Sequence, residues 1–109
     1  MATRSLISVV TTVGYFASIY VHWDGSPKTR MPILENHYNS IDKVNELILL
    51  GDLSKIGESI DQCEVVDSYG GISLYKTEEE MINAAYSCEA EYIYIYRGAW
   101  EYKKGISYD

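Results

Sequence analysis

Residues 91–102 read Glu91-Tyr92-Ile93-Tyr94-Ile95-Tyr96-Arg97-Gly98-Ala99-Trp100-Glu101-Tyr102. Tyrosine and isoleucine alternate strictly here, which is the two-residue period of a β-strand. Arg97-Gly98 then reads as a hairpin loop, with Trp100 and Tyr102 on the returning strand. A two-residue loop places Tyr96 opposite Ala99, Ile95 opposite Trp100, Tyr94 opposite Glu101 and Ile93 opposite Tyr102. Ile93, Ile95, Trp100 and Tyr102 then share one face, most simply the core. Tyr92, Tyr94 and Tyr96 share the other face with Glu101 and Lys103. A one-residue slip would reverse that assignment.

Working outward, Thr77-Glu78-Glu79-Glu80 is a capping box, with Thr77 as N-cap and Glu80 three residues on. It predicts a helix from 78 to about 87 that buries Met81, Ile82, Ala85 and Tyr86. Residues 62–67 read as a strand carrying Cys63, Tyr69-Gly70-Gly71 as a turn, and 72–75 as a further short strand. Near the N-terminus, residues 5–12 are rich in β-branched side chains and predict a strand. Gly14 turns the chain into a partner strand over 15–22. Its odd positions, Tyr15, Ala17, Ile19 and Val21, form the more apolar face.

Trp23-Asp24-Gly25-Ser26-Pro27 breaks that strand. A short helix is expected from near Pro32, presenting Ile33, Leu34, His37 and Tyr38 on one face. Ser40 caps a second helix, Asp42 suits its first turn, and Ile41, Val44, Leu47 and Ile48 form its buried stripe. Gly51 ends it. The elements run β-β-α-α-β-(β)-α-β-β. They predict a single α+β domain over 1–109, a mostly antiparallel sheet of about four to six strands with two to three helices packed on it.

The 109 residues and 47% apolar content supply one domain with a real core. No apolar run approaches the roughly 20 residues of a membrane-spanning helix. Formal net charge is −7, unevenly spread: residues 57–91 hold nine acids against the single Lys76. A field of that sign disfavours direct nucleic-acid binding and anionic membranes and favours a partner with a basic surface. No basic-then-apolar leader follows Met1-Ala2-Thr3-Arg4-Ser5, because Thr11, Thr12 and Gly14 interrupt the apolar stretch, so the chain is expected in the cytoplasm. Cys63 and Cys88 then read as reduced thiols, a disulfide being the alternative. Their spacing matches no metal motif, and no metal or cofactor is expected.

Eleven tyrosines in 109 residues is the strongest compositional anomaly. Tyrosine brings area and a hydroxyl to interfaces. Tyr92, Tyr94, Tyr96 and Glu101, with Glu78, Glu79, Glu64 and Asp67, form the expected partner-binding surface. The plainer reading is an ordinary tyrosine-rich strand on a solubly charged protein. His22-Trp23-Asp24-Gly25 offers a second candidate. If the strand persists, His22 and Asp24 point the same way, as a histidine–carboxylate pair or as metal ligands with His37. With Arg4, His37 and Tyr38 it would make a pocket for a nucleotide-like ligand. Arg4 would meet phosphate, Trp23 would stack, and His22 and Asp24 would orient or act as acid and base. The plainer reading is a structural turn in which Asp24 caps backbone and His22 is hydrogen-bonded.

Met1-Ala2-Thr3-Arg4-Ser5, His22-Trp23-Asp24-Gly25 with Pro27, Leu34, His37-Tyr38, Lys43-Val44, Leu47-Ile48 and Gly51-Asp52-Leu53-Ser54 with Gly57 resemble one family. It is a family of small, uncharacterised proteins of tailed bacteriophages and prophages, and the resemblance covers roughly residues 1–58. The family commonly has an aromatic after Asp-Gly, where this chain has Ser26. The resemblance implies a phage-encoded protein in the host cytoplasm that binds and inhibits a host protein with a basic surface. Counter-defence, such as anti-CRISPR or anti-restriction action, and takeover of transcription belong to that class. A minor structural phage protein is a further alternative, and homo-oligomerisation stays open.

Overall fold

The computed structural model describes residues 3–65 and 71–106. Strand β1 (Ser5–Val10) and strand β2 (Phe16–Val21) form the expected antiparallel hairpin, with Ile7 opposite Ile19 and Ser8 opposite Ser18. Gly14 takes φ +85° at its turn, a conformation open to glycine at no steric cost. Helix α1 (Pro27–His37) starts five residues before the expected Pro32. Pro27 occupies N1, where its missing N–H costs nothing, and Pro32 is accommodated inside the helix. Helix α2 (Ile41–Leu49) is capped as expected, the Ser40 hydroxyl accepting from the Lys43 amide at 3.4 Å. Gly51 follows it at φ +79°.

Strand β3 (Leu53–Lys55) was not legible in sequence; three residues carry too little periodicity to see. It runs parallel to β2, pairing at Val21 and Leu53. A short 3-10 helix (Ile60–Gln62) leads through Cys63 to β4 (Glu64–Val65). Cys63 therefore sits in a connection rather than within the strand expected at 62–67. The remainder of that stretch, Asp67 included, and the turn at Tyr69-Gly70 lie outside the described residues.

Strand β5 (Ser73–Tyr75) pairs antiparallel with Phe16–Ser18 of β2. The edge of β2 away from β1 is thus shared by β5 at one end and β3 at the other. Between them the Tyr20 amide donates to the Asp52 carboxylate at 2.8 Å, so a side chain stands in for a strand carbonyl. Helix α3 (Glu78–Ser87) matches its prediction. The Thr77 hydroxyl accepts from the Glu80 amide at 3.1 Å, and the Glu80 carboxylate accepts from the Lys76 amide at 2.9 Å. Met81 and Ala85 are buried, whereas Tyr86, expected inside, is 47% exposed.

Strand β6 (Tyr92–Tyr96) lies parallel to β1, and β7 (Trp100–Lys104) closes the last hairpin. The sheet order is β4-β3-β2-β1-β6-β7, with β5 also on β2. It is mostly antiparallel and carries three helices, an α+β domain among the described residues. Helices cover both faces. Ile7, Val9, Ala17, Ile19, Val21, Tyr94, Tyr96 and Trp100 meet Leu34, Tyr38, Val44, Leu47 and Ile48 of the α1–α2 layer. Leu6, Phe16, Ile93 and Ile95 meet Met81 and Ala85 of α3 on the reverse face. The free thiols Cys63 and Cys88 belong to these opposite layers.

The last hairpin departs from the expected register by one residue. Tyr96 pairs with Trp100, Ile95 with Glu101, Tyr94 with Tyr102 and Ile93 with Lys103, around a loop of Arg97, Gly98 and Ala99. Gly98 takes φ +92° there. Trp100 and Tyr102 therefore join the tyrosine face, and Glu101 and Lys103 join the isoleucines. The register places the Trp100 indole where its N–H donates to the Tyr38 carbonyl at 2.7 Å, a buried bond tying β7 to the end of α1.

Candidate functional site

The tyrosine face is core, not surface. Tyr94 is fully buried and Tyr96 is 7% exposed, both beneath the α1–α2 layer, and Tyr92 is half-buried against it. Tyr102, 48% exposed, is the member of this face that reaches solvent, its ring 6.1 Å from that of Tyr94. Glu101 is exposed on the reverse face and accepts from Arg97 Nε at 2.8 Å. The expected surface of Tyr92, Tyr94, Tyr96 and Glu101 is corrected on both counts. A sheet covered on each side has no free face for the tyrosines.

Glu78 also works inward. Its carboxylate accepts from Arg97 Nη2 at 2.8 Å and from Lys103 Nζ, binding α3 to the last hairpin. These two cations hold its carboxyl below the usual carboxylate range. Glu79 and Glu64 are exposed, but Glu64 lies on β4 at one sheet edge, whereas α3 is tied to β7 at the other. The acids do not gather into one patch.

The His-Trp-Asp-Gly segment is a turn anchored by a residue that sequence reading missed. Arg30 of α1 is 1% exposed. Its Nη1 donates to the Ser5 hydroxyl at 2.8 Å and its Nη2 to the Trp23 carbonyl at 2.7 Å. Its guanidinium lies 5.8 Å from the centre of the Tyr94 ring. Burial lowers its pKa to about 10, so it stays charged at neutral pH. The Tyr94 hydroxyl donates to the Gly25 carbonyl at 2.6 Å, and burial pushes that hydroxyl's pKa up. The Gly25 amide donates to Thr3 at 2.9 Å, and an added Cβ on Gly25 would collide with the same carbonyl.

The six candidate pocket residues are engaged separately. Strand β2 ends at Val21 and Asp24 turns to φ +59°, so no His22–Asp24 pair forms. His22 Nδ1 lies 2.8 Å from the Tyr20 hydroxyl and its ring meets Trp23 edge-on at 4.7 Å. The Asp24 carboxylate is 3.6 Å from Lys55, His37 is 3.6 Å from Glu58, and Arg4 is 3.7 Å from Glu89. Tyr38 is buried, its hydroxyl donating to the Gly57 carbonyl at 2.8 Å, and burial with nearby Cys63 raises its pKa. Among the described residues no group of three His, Cys, Asp or Glu side chains is placed to hold a metal.

Among the described residues the surface carries an apolar groove of about 460 Å³. Val9, Thr11 and Ala17 line it from the first hairpin, Asn45, Ile48 and Leu49 from α2, and Ile72 and Leu74 from β5 and its approach. Leu49 is 73% exposed and Leu74 63%. Ile41, expected in the buried stripe of α2, is 47% exposed. It lies in the first turn of that helix, nearly in line with buried Ile48 seven residues on, where the helix end leaves it open to solvent. Leu49 stands about 100° around the helix from buried Ile48, so α2 carries apolar surface beyond its core stripe. The signal available in sequence was the run Leu47-Ile48-Leu49-Leu50, which exceeds what one buried face accommodates. No protein family, curated protein or solved structure matches the chain.

Two outcomes follow from this geometry. Arg30→Met keeps an apolar stem but strips donors from Ser5 and the Trp23 carbonyl, at about 1–3 kcal/mol per orphaned group. Urea unfolding is expected to show a loss of about 2–4 kcal/mol. For Glu78, the folded pKa lies below the unfolded one, so its contribution is present above the unfolded pKa and vanishes as pH falls through the folded one. Glu78→Gln should therefore cost about 0.5–1 kcal/mol at neutral pH and nothing well below the carboxylate range.

Proposed function

We propose that this protein works by binding, occupying and so inhibiting a host protein with a basic surface, as the phage family it resembles implies. The observation that carries the reading is the exposed groove between α2 and β5. Contiguous apolar surface of this kind is uncommon on a protein without a partner. Burying Leu49 and Leu74 would yield about 1.5–3 kcal/mol each. Strand β5 pairs, among the described strands, only with β2, so its other edge offers backbone groups beside the groove. The occupant that fits is an extended segment of the partner, apolar side chains in the groove and its backbone along β5. The chain's net charge of −7, with exposed Asp42 and Glu46 on α2, favours basic residues flanking that segment. The proposed partner surface thus shifts from the tyrosines to these leucines, and the proposal keeps a partner of basic character.

A Leu49→Asp/Leu74→Asp double variant tests this. Both sites are exposed, so its thermal midpoint should stay near that of the parent chain. Immobilised parent chain is expected to retain a basic protein from host lysate, less so at high salt. The variant should bind that purified protein at least about tenfold more weakly. Equal binding by parent and variant would overturn the groove as the contact.

A further inference from the structure

A second cavity lies on the opposite face of the sheet, beside the stretch where the edge of β2 away from β1 has no strand partner among the described residues. It encloses about 140 Å³ and is lined by Leu6, Ser18, Tyr20, Asp52, Ser73, Tyr75, Ala84 and Cys88. Strand β5 serves both sites by its pleat, with Leu74 on the groove side and Ser73 and Tyr75 on this one. The carboxylate of Asp52 is the strongest charge in the lining. Its Oδ1 accepts from the Tyr20 amide, and among the described residues no cation pairs with it. The neighbouring charges are spent elsewhere. Arg4 pairs with Glu89, and Arg4 and Asp52 act in opposite senses on the Cys88 thiol, which donates to the Ala85 carbonyl at 3.4 Å. Burial raises the Asp52 pKa, with the Tyr20 amide opposing. A half-buried carboxylate beside hydroxyls and without a cation is an unbalanced site.

We infer that this cavity takes a small organic cation, an alkylammonium or alkylguanidinium group, with Asp52 as counter-ion and the Ser18–Ser73–Tyr75 lining around it. The volume equals about four or five waters at ~30 Å³ each, which suits a group the size of methylguanidinium and excludes a nucleoside. Such a group reaches the site either as a free small molecule or as the end of a Lys or Arg side chain of a bound protein. The inference does not depend on the groove, which lies across the sheet.

The test is an amide-resolved NMR titration of the whole chain with methylguanidinium and methylammonium chloride, with neutral N-methylacetamide as control. Saturating shifts confined to Tyr20, Asp52, Ser73, Tyr75 and Cys88 are expected with the cations and not with the control. Asp52→Asn keeps an oxygen for the Tyr20 amide, so the fold should hold, and affinity should fall at least about tenfold. Ala84→Leu, which fills the cavity and leaves Asp52 in place, should abolish the same shifts. Non-saturating shifts equal in the parent chain and Asp52→Asn, or spread over exposed carboxylates such as Glu79, would overturn the inference. Lysate capture separates the sources. Loss of a retained basic protein in Asp52→Asn assigns the site to a protein side chain, and unchanged capture with site-specific titration assigns it to a free cation.

Discussion

A buried guanidinium, bonded to a hydroxyl and a carbonyl, organises one end of this domain. Arg30 reaches from α1 into the space between β1, β6 and the Trp23-Asp24-Gly25 turn, and its donors meet Ser5 and the Trp23 carbonyl above the Tyr94 ring. Desolvating a cation is costly, and neutral acceptors offset that cost only when their geometry is fixed. Each neighbour is accordingly held from its other side. Ser5 belongs to a central strand, Tyr94 donates to Gly25, and Gly25 is drawn against Thr3. The turn is rigid because the charge beneath it admits few arrangements. That accounts for the His-Trp-Asp-Gly segment without any ligand.

Much of the fold was legible in the sequence because local signals agreed with the global one. The first hairpin, the Ser40 cap and the Thr77 capping box each rest on side chains acting within four residues of themselves. What failed was non-local. The register of the last hairpin turned on a single loop residue, Ala99, and the residue count of a turn decides which face every later side chain takes. The alternation alone left the tyrosine face either covered by another part of the chain or offered to a partner. The parallel β1–β6 pair at the centre, covered by helices on both faces, decides for the first.

The candidate site was less legible than the fold. An arginine in a helix reads as solvated surface until its neighbours are known, and Arg30 gave no warning. Asp52 carried no structural signal in sequence, yet it completes the hydrogen bonding of β2 where two short strands fail to meet. Leu49 and Leu74 became interesting only once the layers showed that nothing in the described chain covers them. Glu78 moved the other way, from a partner contact to an internal tie. In each case burial, which sequence reports only on average, decided the role.

The parallel pairing of β1 with β6 also bears on how the chain is made. Ser5 finds its neighbour Tyr92 only once the intervening 86 residues and β6 itself have been made. Until then the hairpin of β1 and β2 carries an apolar strand with one unsatisfied edge, and long-range pairing of this sort is slow to form. A nascent chain stopped short of β6 is therefore not a smaller version of this domain. Its open β1 edge is the kind of surface that invites aggregation, and the arrival of β6 is what closes it.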